Sequence, residues 1–320
     1  MSFKDIKGQE GPVRRLFGAI RTNRVAPSYI FAGPVGCGRS LLAVNFAKAL
    51  NCADKENFPC DVCASCRKID KNSHPDVRII SPGGKGGEIT IPQIRSIESE
   101  IILKPYEGRY KVFIIKDAHL LNNEAANSFL KTLEEPPPNS VIILIAERPG
   151  GLASTIVSRC RIIRVRPLGI AEFTGILTAE YGIEKKRAES LARICQGSLG
   201  RFKEAGEGIL AHRDGVLEKF SDEEFVEDLS GEARRDLAYE LSVLAAWYRD
   251  ILVFKATKDE GLIINTDRLD DIKKKEKRYN TDDLLEAFRS ILKAKDEIEN
   301  NINPKIALSA MLGGRYFNTD

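Results

Sequence analysis

The stretch Gly33-Pro34-Val35-Gly36-Cys37-Gly38-Arg39-Ser40 has the spacing of a P-loop, the glycine-rich turn that joins a strand to a helix in nucleotide-binding proteins. In such a turn, backbone N–H groups surround phosphate at the positive end of the helix, a lysine reaches the outer phosphates, and Ser or Thr holds magnesium. A β-rich apolar run at residues 29–32 precedes the turn, and a helical pattern at residues 41–50 follows it. The candidate phosphate-binding residues are Gly33, Gly36, Gly38, Arg39 and Ser40.

Short β-rich runs alternate with helical patterns on both sides of this stretch, up to residue 168. The runs lie at residues 29–32, 77–80, 112–115, 141–145 and 162–165. Alternation of this kind is typical of a parallel sheet with helices on both faces. We therefore predict an α/β fold in which a five-stranded parallel sheet fills a first domain at residues 1–168.

The second half of the chain has helical patterns only. Short helices predicted at residues 171–181, 185–195 and 201–211 indicate a small helical lid domain at residues 169–212. Longer helices at residues 232–257 and 281–301, with a basic connector at 273–278, indicate an all-helical third domain at residues 213–320.

Composition places the chain among soluble globular proteins. It has 320 residues, of which 42% are hydrophobic and 30% charged. Its net charge of +3 is too small to imply tight nucleic-acid binding by charge alone. No stretch approaches the roughly 18 apolar residues of a membrane span, so we expect a cytoplasmic protein without a membrane partner.

The P-loop lacks two groups on which catalysis depends. Arg39 replaces the lysine, and its bulkier, more diffuse charge cannot place the same point charge between phosphates. Lys116 follows the apolar run at 112–115, where a magnesium-binding Asp is needed, and Asp117 is shorter than the usual Glu base. Phosphoryl transfer depends on positioning and charge neutralisation. We therefore expect negligible hydrolysis; a working ATPase with unusual residues, and ATP or ADP binding without hydrolysis, stay open.

Four cysteines lie within the segment at residues 52–66. They are Cys52, Cys60, Cys63 and Cys66. In a reducing compartment, Cys-x-x-Cys spacing favours metal over disulfides, and four thiolates leave no position open for water. Structural zinc is the preferred interpretation, with an iron–sulfur cluster or unligated thiols as alternatives.

Several motifs resemble a known family. After the P-loop and the four cysteines come His74-Pro75-Asp76, a helical segment at residues 127–137 that ends in Glu-Glu-Pro-Pro, and Ser158-Arg159-Cys160. In this order they resemble the bacterial clamp-loader subunits of the AAA+ superfamily. Within that family Arg39, Lys116, Glu147 and Gly200 depart from the motor subunits, so the chain is most similar to a non-motor member.

The resemblance implies both partners and a role for one arginine. It implies a ring with gamma/tau and delta subunits that places a sliding clamp on primer–template DNA, and it implies that Arg159 acts as an arginine finger in the ATP site of an adjacent motor subunit. The alternative for Arg159 is an ordinary ion pair. The alternatives for the chain are an active gamma/tau-like motor ATPase and a stand-alone zinc-dependent DNA-binding protein; nothing in it resembles a polymerase active site.

Overall fold

A five-stranded, all-parallel sheet forms the centre of the first half of the chain, as predicted. The computed structural model describes residues 6–83, 87–220, 234–299 and 302–313. The strands are β1 (Ser28–Ala32), β2 (Val77–Ile80), β3 (Lys111–Ile115), β4 (Ser140–Ala146) and β5 (Arg161–Arg164). They pair in the order β2-β3-β4-β1-β5. The central strand β4 is buried along its whole length, which explains its unbroken apolar sequence.

Helices cover both faces of the sheet. Those before and between the strands are α1 (Glu10–Arg21), α2 (Arg39–Asn51), α3 (Ala64–Asp70), α4 (Ile91–Ile101), α5 (Asn123–Glu134) and α6 (Ser154–Val157). Side chains of α1 and α2, including Leu16 and Phe46, form one core with one face of the sheet. Side chains of α4 and α5, including Ile94 and Phe129, form the core on the opposite face.

The ends of α4 and α5 follow from local sequence. Thr90 and Gln93 form a capping box before α4, with a proline in its first turn. The Asn122 side chain accepts a hydrogen bond from the Ala125 N–H at 2.9 Å and caps α5. These caps fix where the two helices enter the core.

The remaining helices follow β5. They are α7 (Ile170–Tyr181), α8 (Lys185–Ile194), α9 (Leu199–Ala205), α10 (Gly208–Lys219), α11 (Arg234–Thr257), α12 (Leu269–Arg278), α13 (Thr281–Glu299) and α14 (Pro304–Leu312). The single helix predicted at 201–211 is wrong, because Gly206 takes a left-handed φ of 60° and separates α9 from α10. The predicted basic connector is also wrong, since residues 273–278 belong to α12, which Ile272 anchors in the core.

The chain divides into two compact units. One contains Met1–Gly169 with Gly197–Arg201, and the other contains Ile170–Gln196 with Phe202–Asp320. This division does not separate the lid from the helices that follow it. The boundaries at 169–212 and 213–320 stay a prediction.

Candidate functional site

The P-loop turn lies between β1 and α2. Gly36 and Gly38 adopt left-handed backbone angles of φ 76° and 96°, which favour glycine. Glycine is required at position 33 for a steric reason, because a Cβ atom there would lie 2.1 Å from the carbonyl oxygen of Val165. The three glycines of the motif are therefore required by this backbone.

Arg39 is the first residue of α2, and its side chain lies inside the protein. The residue is only 7% exposed, and its Nη1 atom has no hydrogen-bond partner within the described residues. A buried donor without a partner is unfavourable. Arg39 is therefore not extended into solvent as a mobile, lysine-like charge would be.

A segment from further along the chain packs directly on the turn. The Gly200 N–H donates to the Gly36 carbonyl at 2.9 Å, and the Ser198 hydroxyl donates to the Val35 carbonyl at 3.1 Å. A Cβ atom at position 200 would lie 2.6 Å from the Gly36 Cα. No side chain fits at position 200 in this arrangement, which gives a packing reason for the glycine there.

Lys116 lies at the same edge of the sheet as the P-loop, because the strands are parallel and only β4 separates β3 from β1. The Lys116 N–H donates to the Ile80 carbonyl at 2.8 Å, which continues the ladder past the end of β3. Asp117 then takes a left-handed φ of 48° before the short 3₁₀ helix Ala118–Leu120. A cation, Lys116, thus occupies the position at this edge where a carboxylate would bind magnesium.

Arg159 follows α6 and is hydrogen-bonded within its own chain. Its Nη1 donates to the Thr155 carbonyl at 2.7 Å and to the Ser158 hydroxyl at 3.3 Å. Its Nη2 pairs with the carboxylate of Glu134, and the Arg159 side chain is 32% exposed. An ordinary ion pair was the alternative interpretation of Arg159, but the sequence did not indicate Glu134 as the partner.

The four cysteines of the insert come together. Their Sγ atoms all lie within 4.8 Å of one another, close to the separation of about 3.8 Å expected for four sulfurs around one zinc ion. The Cys60 N–H donates to Cys52 Sγ at 3.3 Å, and the Cys63 N–H donates to Cys60 Sγ at 3.3 Å. Four converging thiols that accept backbone N–H groups fit a metal ion.

The thiols differ in acidity. Burial would raise the pKa of Cys63, but N–H groups of Ala53 and Cys66 outweigh burial and bring this pKa down to about 6. Burial raises the pKa of the Cys66 thiol well above its usual value. A cation between the four sulfurs would favour the thiolate at every position.

A buried lysine attaches the insert to α2. The Lys48 side chain is fully buried, and its ammonium donates to the Asp70 carboxylate at 2.9 and 3.1 Å and pairs with Asp61. Burial would lower the pKa of Lys48, but the two carboxylates outweigh it and raise this pKa. The ammonium is therefore charged, and it holds Asp61, inside the insert, and Asp70, at the end of α3, against α2.

The motif His74-Pro75-Asp76 anchors the loop before β3. The Asp76 carboxylate is buried and accepts the N–H groups of Tyr106, Glu107 and Gly108 at 2.7 to 2.9 Å. Burial would raise the pKa of Asp76, but these three donors lower it below its ordinary value. His74 Nε2 lies 3.0 Å from the Ser65 hydroxyl, so the motif also contacts the cysteine insert.

Replacing Asp76 with Asn is expected to lower the free energy of unfolding by about 2 to 3 kcal/mol, because buried N–H donors lose a charged acceptor. The folded pKa of Asp76 is depressed, so its stabilising contribution is present above about pH 4 and is lost as the pH falls through the folded pKa. Urea unfolding from pH 2 to 7 measures both effects. The exposed Asp270→Asn is the control; equal stability of the two variants at pH 7 would contradict the anchoring role.

The comparisons with known proteins agree with this geometry. The family model described as "DNA polymerase III, delta subunit" matches residues 8–169, and "DNA polymerase III, delta subunit, C terminal" matches residues 217–314. The chain is 26% identical to DNA polymerase III subunit delta' of Bacillus subtilis over 318 residues, 95% of each protein. It is 33% identical to subunit tau of the same organism over 206 residues, which are 63% of this chain and 36% of that protein.

A solved structure of a DNA polymerase III gamma subunit-related protein from Thermotoga maritima covers 93% of this chain and 97% of its own, at 20% identity and a TM-score of 0.45. The five-stranded parallel sheet with its P-loop turn, together with the helices that follow it, defines a P-loop α/β protein with a helical C-terminal part. The chain belongs to the DNA polymerase III delta subunit family. The resemblance predicted from the motifs is confirmed, and the relative that matches 95% of the chain is a delta-prime subunit.

Across the described parts of the chain, none of the helices is both long enough and apolar enough to span a membrane.

Proposed function

We propose that the chain is a non-motor, delta-prime-like subunit of the replicative clamp loader, which helps to place a sliding clamp on primed DNA. Its partners are then the gamma/tau and delta subunits, the clamp and primer–template DNA. The observation that carries the proposal is the position of Lys116. This cation lies at the edge of the sheet beside the P-loop, where a magnesium-binding carboxylate is needed. Similarity to a delta-prime subunit along 95% of the chain supports it.

The chain's own site is then inactive in hydrolysis. The ammonium of Lys116 repels Mg²⁺ at the edge where a carboxylate would bind it. Arg39 is buried and does not provide a mobile lysine-like charge. Without the metal ion and the lysine, the charge that develops in phosphoryl transfer has no preorganised partner.

The same P-loop is proposed to hold ATP or ADP without turnover. Glycine-rich backbone at Gly36 and Gly38 retains the shape of a phosphate cradle. The start of helix α2 directly after these glycines supports an anion at this place, because the first N–H groups of a helix have no acceptor within the helix. The residues proposed to bind it are Gly33, Gly36, Gly38, Arg39 and Ser40.

Arg159 is proposed to serve an adjacent motor subunit as an arginine finger. Its guanidinium lies at the surface, beside α6, and is partly exposed. An arginine supplied in trans neutralises charge in the transition state of its neighbour. The subunit would thus support hydrolysis without performing it.

The insert is proposed to bind one structural zinc ion through Cys52, Cys60, Cys63 and Cys66. All four thiolates would act as ligands, and none of the four positions would remain for water. When bound, the ion supplies cross-links between segments of the insert. No catalytic role follows from such a closed site.

The proposed function is tested with the purified chain, alone and with its motor and delta partners. We expect the chain to enter a stoichiometric complex with both partners, seen by size-exclusion chromatography with light scattering. Alone, it should bind a fluorescent ADP analogue without hydrolysing ATP, because the metal-binding carboxylate is replaced by Lys116. Steady ATP turnover by the isolated chain, or failure to enter the complex, would contradict the proposal.

A further inference from the structure

The guanidinium of Arg159 is occupied in the free chain. Nη2 pairs with the Glu134 carboxylate, while Nη1 donates to the Thr155 carbonyl and the Ser158 hydroxyl. Both terminal nitrogens therefore already have acceptors on the chain's own surface. These contacts use three of the five N–H donors of the guanidinium and hold it on this surface, so to reach phosphate on an adjacent subunit the side chain has to move away and release the Glu134 carboxylate.

Glu134 is the acceptor that phosphate replaces most readily. The carboxylate and the guanidinium are 48% and 32% exposed, and ion pairs this accessible to water are individually weak. A triphosphate offers the same kind of anionic oxygen with more charge and bidentate geometry. Exchange of carboxylate for phosphate on Arg159 is therefore favourable.

The position of Glu134 at the C-terminal end of α5 does not stabilise a carboxylate there. Glu134 is the last residue of α5, and an acid at the C-terminal end of a helix is disfavoured by the helix dipole. Glu135 follows it and has no ion pair within the described residues. The partner that compensates Glu134 is Arg159, which is 25 residues away in sequence.

We propose that Glu134 is a positioning residue that holds Arg159 against its own subunit until a neighbouring triphosphate displaces the carboxylate. This inference rests on the proposed action of Arg159 in trans. The pair is a reversible latch: it stays closed until the ring brings the triphosphate of the adjacent site within reach of Arg159, and it opens when phosphate oxygens take the guanidinium. Glu134 thereby restrains hydrolysis by the neighbour before DNA and clamp have brought the ring into its active arrangement.

The test is ATP hydrolysis by the reconstituted loader with E134Q, which keeps the size of the side chain and removes its charge. The Arg159-dependent rate is the rate left after subtracting that of the R159A complex. We expect E134Q to raise this rate about two- to fivefold without DNA and clamp, the range that an exposed ion pair allows. The maximal rate with DNA and clamp should stay unchanged, because the latch is already open in that state.

Two further variants separate the latch from other roles of Glu134. E135Q changes the adjacent exposed carboxylate and should leave both rates as they are. The double variant E134Q/R159A should hydrolyse ATP at the rate of R159A, since the latch acts through Arg159 alone.

Each remaining outcome identifies what has failed. A lower maximal rate in E134Q would show that Glu134 orients the arginine for catalysis, which overturns the latch. An unchanged rate without DNA would overturn it as well. If R159A itself hydrolyses ATP like the wild-type complex, the proposed role of Arg159 in trans is wrong, and the latch is rejected with it.

Discussion

Replacing Arg159 with alanine is expected to abolish most of the DNA-stimulated ATP hydrolysis at the one site of the assembled loader that this arginine would serve. An arginine finger contributes about 10³- to 10⁵-fold to the rate at the site it enters. The total ATP hydrolysis rate of the complex should fall to the rate that its other ATP sites contribute. The variant should fold normally, because the pair that it loses with Glu134 is half exposed and individually weak.

The measurement is steady-state ATPase with and without primed DNA and clamp, on complexes of verified stoichiometry. Arg161→Ala is the matched control, since Arg161 is exposed on β5, two residues further along the chain. Arg159→Lys should recover only part of the rate, because lysine retains the charge without the planar fork. Wild-type ATPase in the R159A complex would refute the proposed action in trans.

Removing the metal from the insert is expected to have the largest effect on stability. Structural zinc contributes on the order of 10 kcal/mol of binding free energy in small zinc-binding peptides. Cys63→Ser removes one of the four proposed ligands and loosens the insert backbone that holds Asp61 beside the buried Lys48. We therefore expect local unfolding of residues 52–70 and a lower melting temperature.

The metal prediction is measured by elemental analysis, thermal unfolding and limited proteolysis. The wild-type chain should contain one zinc ion, whereas Cys63→Ser and chelator-treated protein should lack it and should be cleaved within residues 52–70. Cys160→Ala, outside the insert, is the control and should keep its zinc. Iron with a visible absorption band would favour the iron–sulfur alternative, and an unchanged melting temperature after metal removal would contradict a structural role.

Local patterns in the sequence predicted much of the fold. The central strands β1, β3 and β4 are apolar runs buried over most of their length, and Gly36 and Gly38 of the P-loop are required by backbone angles that few other residues adopt. Cysteine spacing brought four thiols together because consecutive sulfurs of a Cys-x-x-Cys turn approach one point. In each case the information lies within a few residues of the feature.

What the sequence did not predict depends on contacts between distant segments. Gly200 meets Gly36 across 164 positions, as their numbering shows, and Glu134 meets Arg159 across 25. No local pattern encodes such pairs. The basic run at 273–278 was predicted as a connector because of its charge, but Lys, Arg and Glu are good helix formers, and the buried Ile272 anchors the run in the core as part of α12.

Helix α2 joins the P-loop turn at one end to the four-cysteine insert at the other. Its first residue is Arg39, and Cys52 directly follows its last residue. The 13 residues of the helix make a rod about 20 Å long, and the buried Lys48 near its C-terminal end pairs with Asp61 inside the insert. Unfolding of the insert would therefore remove a contact of α2 at the end opposite the P-loop turn.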